Sequence, residues 1–447
     1  MNIDEVTSQV KNNFSKWQNK LVDLVAIPSI SVDSFDQSTL QRSAKWIAEE
    51  AEKLGLSVQI INLETDSGKK GRPAILAQRP AAPGKPTVLL YAHHDVQPTG
   101  DLELWDTEPF QAVEKDGRLF GRGAADDKAG VVLHLAAIEA ANPGVGITLF
   151  VEGEEEVGSP TFVDFLHTYE KELQADVIVV ADSNNWQVGT PSLTTSLRGV
   201  VQMSARIAVL DHPVHSGMYS GPVIDAVTVA ARLIATFHDE SGNIVVEGLD
   251  QSDTATVDYE EEVLRKDIGI LDGVEFAGSG SLTSRLWTKP TISVIGMDVT
   301  PNEVASNTLI PQVEFTLSLR VAPGQDPRAA AAALEEHMRK HVPFGAHIDV
   351  QVNECGPSFI ADTNSPANEM AHWALHEAWG VEPINMGIGG SIPFISDLAE
   401  LFPNAEILVT GVEDPDSRAH SANESLHLGD WQKAITAEAL LLSKLGE

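Results

Sequence analysis

Hydrophobic positions in the first 198 residues switch repeatedly between helical and strand-like spacing. Residues 5–55 read as helix interrupted near Ile27-Pro28, with Ala44–Leu54 apolar at helical intervals. Three short apolar runs follow, Val58–Leu63, Ala74–Gln78 and Thr87–Ala92, each bounded by Gly/Pro-rich turns, and they read as strands. Ala129–Ala141 is an Ala/Leu/Val-rich helix that stops at Asn142-Pro143-Gly144. Strand Ile147–Val151, helix Thr161–Leu173 and strand Asp176–Ala181 continue the alternation. Strands apolar on both faces, alternating with helices, predict an α/β fold with a mostly parallel sheet covered on two sides.

From about Gly199 the rhythm changes. Val200–Val209 alternates as a half-buried strand, and Ile224–Phe237 reads as a helix. Strands Thr291–Met297 and Val313–Val321, helix Asp326–His341 and strand His347–Asn353 complete a β-α-β-β-α-β order, that of a split βαβ unit. After Cys355-Gly356-Pro357 the first rhythm returns with helix 366–379, strand 406–410 and a long helix near 429–445. The expected organisation is one discontinuous domain, residues 1–198 and 356–447, interrupted by an inserted α+β domain, residues 199–355. A chain of 447 residues is in any case too long for one ordinary core.

Charge narrows the possible partners. A formal net charge of −35 argues against nucleic acid, whose phosphates such a surface repels. The start of the chain has no apolar core like that of a signal peptide. No apolar stretch approaches the roughly 18 residues a membrane helix needs. The single cysteine, Cys355, excludes an internal disulfide and suits a reducing compartment. The expectation is a soluble, cytoplasmic protein with neither membrane nor nucleic acid as partner.

Five short segments end in metal-binding side chains, four of them after strand-like runs: 88–95, 121–128, 149–159, 177–182 and 419–424. Their imidazoles and carboxylates suit two divalent cations with a water between them, which makes a metallohydrolase the first hypothesis. Asp95, two residues beyond His93 on an extended chain, shares its face and can orient its ring. Asp126 and Asp127 precede a helix, where one of them would cap exposed N–H groups. In the run Glu154-Glu155-Glu156, adjacent side chains point in opposite directions, so one can bind metal while another serves as general base. Asp182 ends an apolar strand, and His420 follows another in a polar loop. The pairs His372/His376 and His337/His341 stand at helical i, i+4 spacing but lack the glutamate of a zinc-binding HExxH. Gly121-Arg122-Gly123 lacks the third glycine of a dinucleotide loop, and no G-x-S-x-G elbow supports serine chemistry.

The chain resembles the di-zinc metallopeptidase family of carnosinase, cytosolic nonspecific dipeptidase, carboxypeptidase G and aminoacylase, and within it the dipeptidase branch. The resemblance runs through YAHHDVQP (91–98), GRGAADDKAG (121–130), EGEEEVGS (152–159), VVAD (179–182), HSG (215–217), NTLIP (307–311), SLR (318–320), GGSIP (389–393) and AHSANE (419–424). It implies a zinc-peptidase-like catalytic domain with an inserted lid that also forms a homodimer. It implies His93, Asp126, Glu156, Asp182 and His420 as ligands of two divalent ions, with Asp126 bridging. Zinc is the first expectation, and carboxylate-rich sites also accept manganese or cobalt. Asp95 would be the partner of His93, and Glu155 the general base acting on a metal-bridging water. His215 would reach the partner subunit's site and stabilise the reacting carbonyl. Asn307 and Arg320 would grip the substrate's carboxylate, while Gly390 and Ser391 line the scissile region.

One departure bears on substrate. The Arg-Glu that usually precedes Gly-Gly-Ser-Ile-Pro in the dipeptidases is Gly387-Ile388 here, and that glutamate helps recognise a substrate amine. The reading is therefore a hydrolase of dipeptides or similar small substrates with a free C-terminal carboxylate. An N-acyl-amino-acid deacylase or carboxypeptidase is the alternative, and a non-catalytic metal- or peptide-binding protein the rival from another class.

Overall fold

The computed structural model describes residues 3–390 and 392–447. The chain divides into two compact units: residues 1–195, 361–386 and 397–447, and residues 196–360 and 387–396.

The first unit is built on a six-stranded sheet in the order Ser57–Ile61, Ala74–Arg79, Gly146–Glu152, Thr87–His93, Val177–Val180, Glu406–Val409. The first two pairings are antiparallel. The other three are parallel, so the sheet is mostly parallel where the apolar strands lie. All seven residues of Gly146–Glu152 are buried, as expected of a strand covered on both faces. On one side, helix Lys128–Ala141 packs against Ile3–Val25 and Leu428–Leu445, and the latter also meets Pro366–Trp379. Trp431 is fully buried there and donates its indole N–H to Ala129 O at 3.1 Å. On the other, Phe150 stacks on Phe165 with centroids 4.7 Å apart.

Helix Lys128–Ala141 begins hard against the sheet, because position 130 is glycine. A Cβ there would lie 2.6 Å from Ala181 O and 2.2 Å from Asp127 Oδ1. The segment read as one helix over Thr161–Leu173 is two, Phe162–Thr168 and Glu170–Leu173. Tyr169 sits between them with φ −112° and ψ 25°, outside helical geometry.

The second unit holds a four-stranded antiparallel sheet in the order Thr291–Asp298, Gln312–Val321, Gly199–Ala208, His347–Gly356. Strand Gly199–Ala208 buries every other residue, and helices Ala226–Ile234 and Pro327–His341 cover that apolar face. Asp326 caps the second helix by accepting from Arg328 N at 2.9 Å, and Pro327 follows where its missing N–H costs nothing.

Candidate metal centre

In the first unit, loops leaving the C-terminal ends of the parallel strands carry the acidic segments. This is the edge at which open α/β sheets place their ligands. His93 is the last residue of its strand, and Asp182 lies two residues beyond Val177–Val180. Glu155 and Glu156 occupy a single 3-10 turn, Glu155–Val157, after Gly146–Glu152. Asp126 precedes helix Lys128–Ala141, and His420 lies in the loop after Glu406–Val409 with a left-handed φ of 62°.

These side chains converge on Asp126. Its Oδ1 lies 3.0 Å from His93 Nε2, and its Oδ2 lies 2.9 Å from His420 Nε2. His420 Nε2 is also 3.1 Å from Glu156 Oε2. Two groups of potential ligand atoms result, His93–Asp126–Asp182 and Asp126–Glu156–His420, each with all its atoms within 4.8 Å of one another. Asp126 belongs to both. Two imidazoles and three carboxylates with one carboxylate in common fit a pair of divalent cations of zinc, manganese or cobalt type.

Neighbouring groups hold this set in place. Asp95 Oδ1 approaches His93 Nδ1 at 3.4 Å, and its carboxylate accepts the backbone N–H of Glu155 (3.2 Å) and Glu156 (3.0 Å). One buried acid thus orients the imidazole and the turn bearing both glutamates. Gln97 donates twice to the Glu156 carboxylate, from its backbone N at 3.0 Å and its Nε2 at 2.8 Å. Asp127 caps the helix through Gly130 N at 3.2 Å and accepts from His93 N at 3.1 Å. His94 faces away, its Nε2 lying 2.8 Å from Pro73 O.

Glu424, fully buried, accepts from Gly123 N (3.0 Å), Ala125 N (2.9 Å), Asp126 N (3.1 Å) and Arg122 Nη1 (2.6 Å). It fixes the loop that presents Asp126. Glu424 ends the sequence motif 419–424, but its role is not readable there, since its donors lie some 300 residues earlier.

Electrostatics follow the geometry. Hydrogen bonds to Asp126 and Glu156 hold the His420 imidazole up at about 11. Burial works to lower His93, yet hydrogen bonds to Asp126 and Asp95 raise it well above the usual value. Burial, with the charges of Asp126 and Glu156 adding against the pull of His93, lifts Asp182 to about 6. Burial lifts Glu155 to about 8, with Asp182 and Glu156 reinforcing it. Glu155 belongs to neither ligand group and accepts no side-chain hydrogen bond among the described residues.

The remaining sequence-selected residues lie in the second unit. His215 pairs across a short ladder with Thr308, and Ser216 N donates to Asn307 O at 2.9 Å, so His215 and Asn307 are neighbours. Both are exposed, and His215 Nδ1 accepts from Gly217 N at 3.1 Å. Arg320 sits on strand Gln312–Val321 opposite Val200 and Thr291. Gly390 follows Gly389, whose carbonyl accepts from Arg198 Nε at 2.8 Å. Ser391 lies outside the described residues. The two histidine pairs set aside earlier make ordinary contacts: His337 bonds Thr236 at 2.9 Å and His372 bonds Asn385 at 2.7 Å.

Among known proteins, the description of peptidase family M20/M25/M40 matches residues 89–444. The cysteinylglycine-S-conjugate dipeptidase of Corynebacterium striatum is 35% identical over 418 residues, 92% of this chain and 91% of that protein. The Cys-Gly metallodipeptidase dug1 of Schizosaccharomyces pombe is 28% identical over 461 residues, covering 97% and 96% respectively. Among solved structures, human carnosine dipeptidase 1 shares the fold with a TM-score of 0.75 at 23% identity, over 99% of this chain and 98% of that one.

Proposed function

The chain belongs to peptidase family M20/M25/M40, and from that premise we propose that it is a metal-dependent dipeptidase acting on small peptides with a free C-terminal carboxylate. The observation that carries this reading is the pair of ligand groups sharing Asp126, with Glu155 beside them in neither group. His93, Asp126 and Asp182 would hold one ion, and Asp126, Glu156 and His420 the other. When bound, such ions lower the pKa of a water and polarise a carbonyl. Glu155 takes the proton of the attacking water and returns it to the leaving nitrogen. Asp95 keeps the His93 ring and the Glu155-Glu156 turn in register during these transfers. Asn307 and Arg320 bind the substrate carboxylate, a task for which a guanidinium fork is apt, and Gly390 and Ser391 line the scissile bond.

The similarity to a cysteinylglycine-S-conjugate dipeptidase and a Cys-Gly metallodipeptidase supports a dipeptide substrate. The deacylase alternative rests on Gly387-Ile388. A Cβ at position 387 would lie 2.5 Å from Trp287 Cβ and 2.9 Å from Ser196 Oγ, so a larger residue has no room there. The test is a screen of the metal-loaded protein on Cys-Gly, its S-conjugates and β-Ala-His against N-acetyl amino acids. Cleavage of the dipeptides supports the proposal. Cleavage of N-acetyl amino acids alone favours the deacylase, and stoichiometric metal with no turnover favours a binding protein. The active species is a cytoplasmic homodimer through the second unit, with His215 donated to the partner's site. Mixing inactive His215→Ala and Glu155→Ala subunits should restore part of the activity, and exchanged subunits that stay inactive exclude the donation.

A further inference from the structure

The acids around the metal centre nearly all have work inside the protein. Asp95 and Asp127 accept backbone N–H groups, Glu156 is held by Gln97, and Glu424 by four donors. Glu154 accepts from Thr161 N at 2.7 Å and Arg72 N at 3.0 Å. Asp182, Glu155 and Glu413 are different: their carboxyls accept no hydrogen bond among the described residues. Asp182 has a place in a ligand group and Glu155 a proton to carry. Glu413 has neither.

Its position is set by the sheet. Strand Glu406–Val409 runs parallel to Val177–Val180, and the two chains stay together beyond their ends. Thr410 N donates to Val180 O at 2.8 Å, Glu413 N to Ser183 O at 3.3 Å, and Asn185 N to Glu413 O at 2.9 Å. Glu413 therefore leaves the same edge of the sheet as Asp182, at the start of the loop that carries His420. It is only 8% exposed, and the charges that act on it are those of Asp126, Asp182, Glu424 and His420. Its carboxyl oxygens are not among the fully buried unpartnered atoms, so they stay open to a partner from outside the chain.

We propose that Glu413 receives the free α-ammonium group of the substrate and so selects unblocked dipeptides over N-acyl amino acids. The inference rests on the dipeptidase reading above and decides between the two substrate classes left open there. An ammonium is the only cation that an unblocked dipeptide of neutral side chains brings to the site, and an N-acyl amino acid brings none. A carboxylate–ammonium contact inside a protein is stronger than a neutral hydrogen bond and discriminates sharply against a partner that lacks the charge.

The test compares Glu413→Gln and Glu413→Asp with the wild type on one dipeptide and its N-acetylated form, alongside metal content and thermal midpoint. In Glu413→Gln the ratio of kcat/KM, unblocked over acetylated, should fall by about 10- to 100-fold, with the loss mainly in KM. Glu413→Asp, which keeps the charge, should recover part of that ratio. Calorimetry with a phosphinic dipeptide analogue and its desamino counterpart should show the same loss of discrimination without turnover. An unchanged ratio in a folded, metal-replete variant overturns the proposal alone. Loss of metal overturns it in favour of a further ligand. A wild type that hydrolyses only acetylated substrates removes both this inference and the dipeptidase reading.

Discussion

Replacing Glu424 by glutamine tests how the loop bearing Asp126 is held. The change preserves shape but removes the charge facing Arg122 Nη1 at 2.6 Å. It also leaves one oxygen where two now accept from three backbone N–H groups, so the new amide NH₂ must point at a donor. Taking one partner from a buried ion pair costs about 3–5 kcal/mol. That is a large part of the roughly 5–15 kcal/mol that holds a domain folded. At about 2–4 °C per kcal/mol for a unit of this size, the metal-free thermal midpoint should fall by roughly 6–20 °C. Metal affinity should weaken with it, since the amide NH₂ must face either Ala125 N and Asp126 N or Gly123 N and Arg122 Nη1, and that pair loses its acceptor. The assay is thermal unfolding of stripped and metal-loaded protein by circular dichroism, with metal counted in the folded samples. A variant that melts within about 2 °C of the wild type and keeps its metal would refute the claim that Glu424 fixes this loop.

Two further outcomes follow from the same site. Glu155→Gln should lower kcat by on the order of 10²–10⁴-fold while metal content stays at the wild-type level, because Glu155 lies in neither ligand group; sites emptied of metal in that variant would exchange the roles of Glu155 and Glu156. Hydrogen bonds to Asp126 and Glu156 hold His420 at about 11 in the metal-free protein, so it is protonated near pH 7, and His93 is raised above its usual value. Ligation requires neutral imidazole, so metal binding should expel the His420 proton and tighten as pH rises, and calorimetric heats independent of buffer ionisation would contradict the assignment.

The parts of the fold legible in the sequence are those where one physical cause sets the pattern over many residues. Thr87–His93 and Gly146–Glu152 are apolar throughout because both faces are covered, and Gly199–Ala208 alternates because one face is. Short elements carry no such signal. The strands Val113–Lys115, Arg118–Phe120 and Ser425–His427 have three residues each, below any measurable period, yet their pairing leads Glu424 to the loop it holds. Helix Pro393–Leu401 and the 3-10 turn at Glu155 were likewise unreadable from spacing. The acidic segments stood out because carboxylates and imidazoles at strand ends are conspicuous. Gln97, Arg122, Glu413 and Glu424 did not, since their importance lies in partners distant along the chain.

Asp126 is the point on which the whole account turns, because both ligand groups depend on it. The most direct measurement is a metal titration of stripped wild type and Asp126→Asn, following ions bound and dipeptide hydrolysis together. Two ions per chain in the wild type, activity returning as they bind, and weakening of both sites in the variant are the predicted results. A variant that retains either site at wild-type affinity, or wild-type hydrolysis that persists without ions, would contradict it.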